Sequence, residues 1–160
     1  MLIHEVLHQK PVVVGPEMLV REAVLKLITD HINGLLVVNE KQEVLGVLAL
    51  QDIAAATIPI QFRKNVYMAA AMYRRGFFSE QCQEIMDLPI TQIMRKNFIA
   101  VSLQDNIMAV MADFLKNDLY IVPVIDKGKL VGVVTRSEIK HALAYGMGLP
   151  SKYWKVMKGQ

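Results

Sequence analysis

Along the 160-residue chain, short apolar runs alternate with stretches in which apolar residues return every three or four positions, and the whole alternation occurs twice. The run Val12-Val13-Val14 is followed by Val20, Ala23, Val24, Leu27 and Ile28, then by GLLVVN and VLGVLAL. In the second half Ile99-Ala100-Val101 is followed by Ile107, Val110, Met111, Phe114 and Leu115, then by YIVPVID and LVGVVT. Brief uninterrupted apolar runs are the pattern of buried strands, and a three-and-four spacing lays apolar side chains along one helix face. The polar turns Glu40 to Glu43 and Lys127 to Lys129 join the last two runs of each copy as hairpins. A final helix opens near Asp52 in one copy and Glu138 in the other. The order strand, helix, strand, strand, helix is thus predicted twice, at an offset of 87 residues that falls to 86 after the shorter second turn.

These signals divide the chain into a first repeat over 1–57, an insertion over 58–89, a second repeat over 90–146 and a tail over 147–160. The insertion, where the repeat pattern stops, reads as two helices: one closed by Gly76 as a C-terminal cap, the next opened by Ser79 as an N-cap. Met68 and Met72, with Ala69 and Ala71, give the first of them an apolar side expected to pack on its own core.

With Ile93-Met94 ahead of its first strand, Pro123-Val124-Ile125-Asp126 at its second and Gly132 to Glu138 at its third, copy two resembles the CBS-domain family, and the chain resembles that family's usual paired form. The resemblance covers everything but the insertion and the tail. Copy one departs from it at Leu36, Asn39 and Ala49, which stand where copy two has Pro123, Asp126 and Thr135. The resemblance implies an α/β (α+β) fold of two β-α-β-β-α repeats packed about a pseudo-two-fold axis, with a cleft at each repeat. It also implies a homodimer, since such pairs commonly associate.

In nucleotide-binding members of that family a segment of the form G-h-h-T-x-x-D, with h apolar, sets a hydroxyl near the phosphate and a carboxylate on the ribose diol. Gly132 to Glu138 matches it, with Glu138 in place of Asp. Elementary physics supports the match. A strand delivers Thr135 to a helix start, where unpaired N–H groups and the positive dipole end favour an anion. Arg136 and Ser137 add a cation and a hydroxyl there, and a carboxylate one turn in suits a ribose diol. The same residues, Thr135 and Glu138, also make a capping box, which needs no ligand. By resemblance the base would lie against Ile99, Ala100, Val122 and Pro123, with Tyr120 available to stack. A weaker second site would use Val12, Val13, Leu35 and Asp52, because copy one lacks a hydroxyl at Ala49 and a cation at Leu50.

The resulting expectation is a regulatory module that senses an adenine nucleotide or adenosine derivative (AMP, ADP, ATP or S-adenosylmethionine), as a ligand rather than a cofactor, and signals to a regulated protein not named by the sequence. The alternative is a ligand-free structural or protein-interaction module. An enzyme is not expected. His4-Glu5-Val6-Leu7-His8 has the H-E-x-x-H spacing of zinc peptidases, yet Pro11 halts any helix there and no third ligand is in view, so no metal site is assigned. His31 and His141 read as ordinary surface or helix-end residues.

Composition narrows the setting. Net charge is +3, but the basic residues are spread over both halves in small groups, Lys152 to Lys158 among them, which argues against a nucleic-acid surface. No apolar run is long enough to span a bilayer, so no membrane partner is expected. The N-terminus lacks the plan of a signal peptide and Cys82 is the sole cysteine, giving an expectation of a cytoplasmic protein without disulfides.

Overall fold

The computed structural model describes residues 1–72, 74–117 and 119–151. Of the tail expected over 147–160, the part from 152 on, with the group Lys152 to Lys158, lies outside the described residues. Copy one comprises α1 (Ile3–Val6), β1 (Val13–Val14), α2 (Val20–Asp30), β2 (Gly34–Val38), β3 (Val44–Ala49) and α3 (Leu50–Ala56). The insertion carries a 3-10 turn at Ile60–Phe62, then α4 (Val66–Ala71) and α5 (Phe77–Ile85). A second 3-10 turn, Ile90–Gln92, leads into α6 (Ile107–Asn117), β4 (Ile121–Asp126), β5 (Lys129–Thr135) and α7 (Arg136–Gly146).

Copy one forms a three-stranded sheet in the order β1-β2-β3, with β1 parallel to β2 through Val13 opposite Leu36 and Val14 opposite Val37. Copy two forms the antiparallel hairpin β4-β5, in which Val122 faces Val134 and Ile121 faces Thr135. The strand expected over Ile99 to Val101 is reduced to a single parallel bridge between Val101 and Val124. Val101 N donates to Pro123 O at 3.0 Å and Ile125 N donates to Val101 O at 2.9 Å. The next ladder bond would run from the N–H of residue 123 to the carbonyl of Ile99, and proline has no N–H to give. Leu36 stands at that point in copy one, and there the two strands pair over two residues.

The chain forms two compact units that do not coincide with the two repeats. The first gathers Met1–Val12, Glu40–Val44 and the chain from Phe98 on; the second gathers Val13–Asn39 and Leu45–Asn97. In the first unit Ile3 N donates to Asp105 O at 2.9 Å, Ile107 N to Met1 O at 3.2 Å, and His8 and Val133 exchange bonds of 2.8 and 3.0 Å. The second unit repeats this arrangement at equivalent positions: Ile90 N to Met18 O at 2.9 Å, Val20 N to Leu88 O at 2.9 Å, and Arg95 with Val47 at 2.8 and 3.0 Å. The lead-in of each copy therefore belongs to the body of the other. Its anchors are apolar: Ile3 and Val6 join Val101, Ile107, Val110, Val122, Val124, Val134 and Ala142 in the core of the first unit, and full burial of such side chains contributes about 1.5–3 kcal/mol each. Ile90 is equally inaccessible in the second unit, as are Leu35, Leu36 and Val37.

Four sequence expectations need correction, the first being that the apolar side of the first insertion helix packs on a core: no residue of α4 is buried and Met68 is 48% exposed. Val20, Ala23 and Leu27 are buried, as are Ile107 and Val110, but Ile28 and Leu115 are 64% and 89% exposed, because each falls about 80° round its helix from the buried Val20 or Ile107, at the edge of the apolar stripe. In the insertion α4 ends at Ala71 with Met72, not Gly76, as its C-cap, and Gly76 is the N-cap of α5, with Ser79 inside its first turn. Gly76 adopts φ +85°, a left-handed geometry that glycine supplies at either end of a helix. Asn65, not recognised in the sequence, opens α4 by accepting a bond from Met68 N at 3.0 Å.

Candidate functional site

All the residues expected at the copy-two site fall within the first unit. Ladder register explains how they meet. Since Ile121 is opposite Thr135, the residues just beyond the hairpin, Tyr120 and Arg136, stand side by side, and the Arg136 guanidinium lies 4.0 Å from the Tyr120 ring centre. A guanidinium over an aromatic face is attracted by the ring quadrupole. Tyr120 thus presents a ring already stacked on a cation at the mouth of α7.

Thr135 is the N-cap of α7, its hydroxyl oxygen accepting from Ser137 N at 3.1 Å. Glu138 turns back to the same point. Its Oε2 accepts from Thr135 N at 3.0 Å and from the Thr135 hydroxyl at 2.5 Å, and the residue is only 3% exposed. The capping box foreseen in the sequence is formed. Arg136 and Ser137 are exposed, and with Thr135 they surround the first N–H groups of an eleven-residue helix whose dipole favours an anion.

The remaining wall residues differ in access. Ile99 is half-buried and Ala100 exposed, whereas Val122 and Pro123 are buried, Val122 in the core cluster with Val124 and Val134. In copy one Val13 is 36% exposed and Val12 half-buried, while Leu35 is inaccessible. Asp52 accepts from Ala49 N at 2.8 Å, the counterpart of the Glu138 bond, and also from Arg95 Nε at 2.6 Å. That ion pair, with Asp52 at 11% side-chain exposure, occupies the copy-one carboxylate.

Two residues at the copy-one junction escaped sequence reasoning. Arg95 arrives from the exchanged lead-in, so its partnership with Asp52 follows from tertiary structure and had no local signal. Gln51, at the position Ser137 occupies in copy two, has a buried amide whose nitrogen and oxygen have no hydrogen-bond partner among the described residues.

The H-E-x-x-H spacing does not assemble. Helix α1 ends at Val6, Glu5 bonds Leu2 N, and His8 lies beyond the helix in the bridge to Val133. Among the described residues no group of three or more His, Cys, Asp or Glu side chains is placed to hold a metal ion. No helix among them is long and apolar enough to cross a membrane.

Comparison with solved structures gives the same fold at low identity. The CBS-domain containing protein ATU1752 from Agrobacterium tumefaciens superposes with a TM-score of 0.68 at 18% identity, over 89% of this chain and 99% of that one. A putative acetoin utilization protein, AcuB, from Vibrio cholerae gives 0.67 at 16%, over 92% of each chain. The CBS domain pair of protein MJ0100, solved in complex with 5'-methylthioadenosine and S-adenosyl-L-methionine, gives 0.65 at 21%, over 89% of this chain and 99% of that one. The family model of the CBS domain matches twice, at residues 3–58 and 90–145, in step with the two copies read from the apolar pattern, and the chain belongs to the CBS-domain family as a tandem pair.

Proposed function

We propose that the chain is a regulatory sensing module that binds an adenine nucleotide or adenosine derivative at the copy-two junction of β5 and α7. The observation that carries this reading is the set Thr135, Arg136 and Ser137 at the start of α7, with Arg136 stacked on Tyr120 beside it. An anionic or polar ligand group would take the helix-start N–H groups and Arg136, and an adenine ring would stack at Tyr120. The solved complex of the similar MJ0100 pair with two adenosine derivatives supports the ligand class. Copy one would bind more weakly, since Asp52 is held by Arg95 and Ala49 offers no hydroxyl. No catalytic step is part of this reading, and the ligand is a signal rather than a cofactor. Its setting is the cytoplasm, where these nucleotides are abundant. The proposed assembly is a homodimer: α2 exposes Leu25 and Ile28, and α6 exposes Met108 and Leu115, apolar surface of the kind partners cover.

A second reading, a ligand-free interaction module, is favoured by one observation: Glu138 is buried and engaged by Thr135 in a cap that is complete without ligand. A thermal-shift screen over adenine nucleotides, S-adenosylmethionine, methylthioadenosine and guanine controls separates the two. Ligand at 100 times its dissociation constant adds about 2.7 kcal/mol to the folded state, a rise in melting temperature of about 5–11 °C for a chain this size. No shift with any adenine ligand favours the interaction module.

A further inference from the structure

Within the second unit, the insertion lines an open cavity of about 430 Å³, inside the range of about 300–1,000 Å³ typical of small-molecule sites. Ile58 and Pro59 form one wall, Ala69 and Ala70 of α4 a second, and Phe77 and Phe78 at the start of α5 a third. The alanines leave the space and the phenylalanines make it greasy. Phe78, 72% exposed, carries the apolar surface out to the mouth.

Charge at this cavity is one-sided. From Ile58 to Phe78 the chain has four basic residues and no acid. Arg74 and Arg75 both line the space. Arg74 is satisfied: it bonds Glu80 through two nitrogens at 3.0 and 2.5 Å and lies 5.2 Å from the Phe77 ring centre. That hydrogen-bonded pairing raises the Arg74 pKa and lowers that of Glu80, so the two charges persist together and cancel. Arg75 is exposed and has no ion pair among the described residues. The cavity therefore joins an apolar interior to one uncancelled guanidinium, a group shaped for a planar carboxylate. Thr57, Ser79 and Gln81 add polar groups to the walls, but the single uncancelled charge suits a monoanion better than a multiply charged phosphate.

We propose that this cavity binds an amphiphilic carboxylate, with a medium-chain fatty acid as its simplest form, the hydrocarbon against Ala69, Ala70 and Phe77 and the head at Arg75. It stands independently of the nucleotide reading. The test is calorimetric titration of the full chain with decanoate below its micelle concentration, beside decanol and acetate. Decanoate is expected to bind about one per chain, roughly tenfold more tightly than decanol because the head adds a charge-assisted bond, with acetate silent. Ala70→Trp, at an exposed position, should abolish binding by filling the space. Arg75→Gln should lower decanoate to the affinity of decanol, and Glu80→Gln, by releasing Arg74, should strengthen it several-fold. No decanoate binding, equal affinity for decanol, or binding indifferent to Ala70→Trp overturns the proposal. So does binding of anionic phosphatidylglycerol vesicles without binding of decanoate, which would make the insertion a membrane-docking surface.

Discussion

Gly132→Ala probes the exchanged lead-in at its tightest point. A Cβ on Gly132 would sit 2.4 Å from Leu7 Cδ1 and 2.8 Å from the backbone oxygen of His8. The leucine tip can rotate away; the carbonyl cannot, because His8 and Val133 hold each other by two backbone bonds. Overpacking of this kind costs about 1–3 kcal/mol, and weakening the two bonds adds about 0.5–1.5 kcal/mol each. The expected loss is about 2–6 kcal/mol, a fall in melting temperature of about 4–24 °C. Urea titration with far-UV circular dichroism measures it, and Gly146→Ala is the control. Gly146 ends α7 in open space, so alanine there should stabilise by about 0.4–1 kcal/mol. If Gly132→Ala costs less than about 0.5 kcal/mol, the change expected at ordinary surface positions, the segment Leu7 to His8 does not pack on β5 and the exchange of lead-ins is refuted.

Other consequences are separately testable. Thr135→Ala without ligand should cost about 1–2 kcal/mol by removing the cap, seen as a lower urea midpoint at unchanged slope; no change would mean the cap is not formed in solution. Sedimentation at micromolar concentration should give a dimer, and a species near 18 kDa would contradict the proposed assembly. Purified protein should hold no stoichiometric zinc by elemental analysis, since His4 and His8 are not on one helix; zinc that disappears in His4→Ala would contradict this.

The duplication was legible because each copy repeats its apolar spacing, and spacing follows directly from helix and strand geometry. Which copy each lead-in joins was not. The spacing gives the buried Ile3, Val6 and Ile90 no address, and two copies with equivalent cores offer equivalent seats. Gly76 was misread because its left-handed conformation closes one helix or opens another equally well. Ile99 to Val101 lost its strand to the missing N–H of Pro123, a residue read in the sequence as a motif match and a wall of the site but not for the bond it cannot make. At the candidate site the junction of Thr135 to Glu138 was readable, both as ligand motif and as cap. The stacking of Arg136 on Tyr120 depends on hairpin register, and the Arg95 pairing with Asp52 on the exchange, so neither had a local signal. The insertion cavity, walled by three separated segments, had none either.

Calorimetric stoichiometry with the best adenine ligand of the thermal screen tests the central claim most directly. The wild-type chain should bind about one equivalent. Thr135→Ala and Arg136→Ala should each remove most of that binding, and Asp52→Ala should leave it intact, because Asp52 is already held by Arg95. The cap lost in Thr135→Ala is controlled by comparing its melting temperature with and without ligand. Binding that survives both copy-two substitutions but vanishes in Asp52→Ala would move the ligand to copy one and contradict the assignment; absence of binding to the wild-type chain would leave the interaction module as the function.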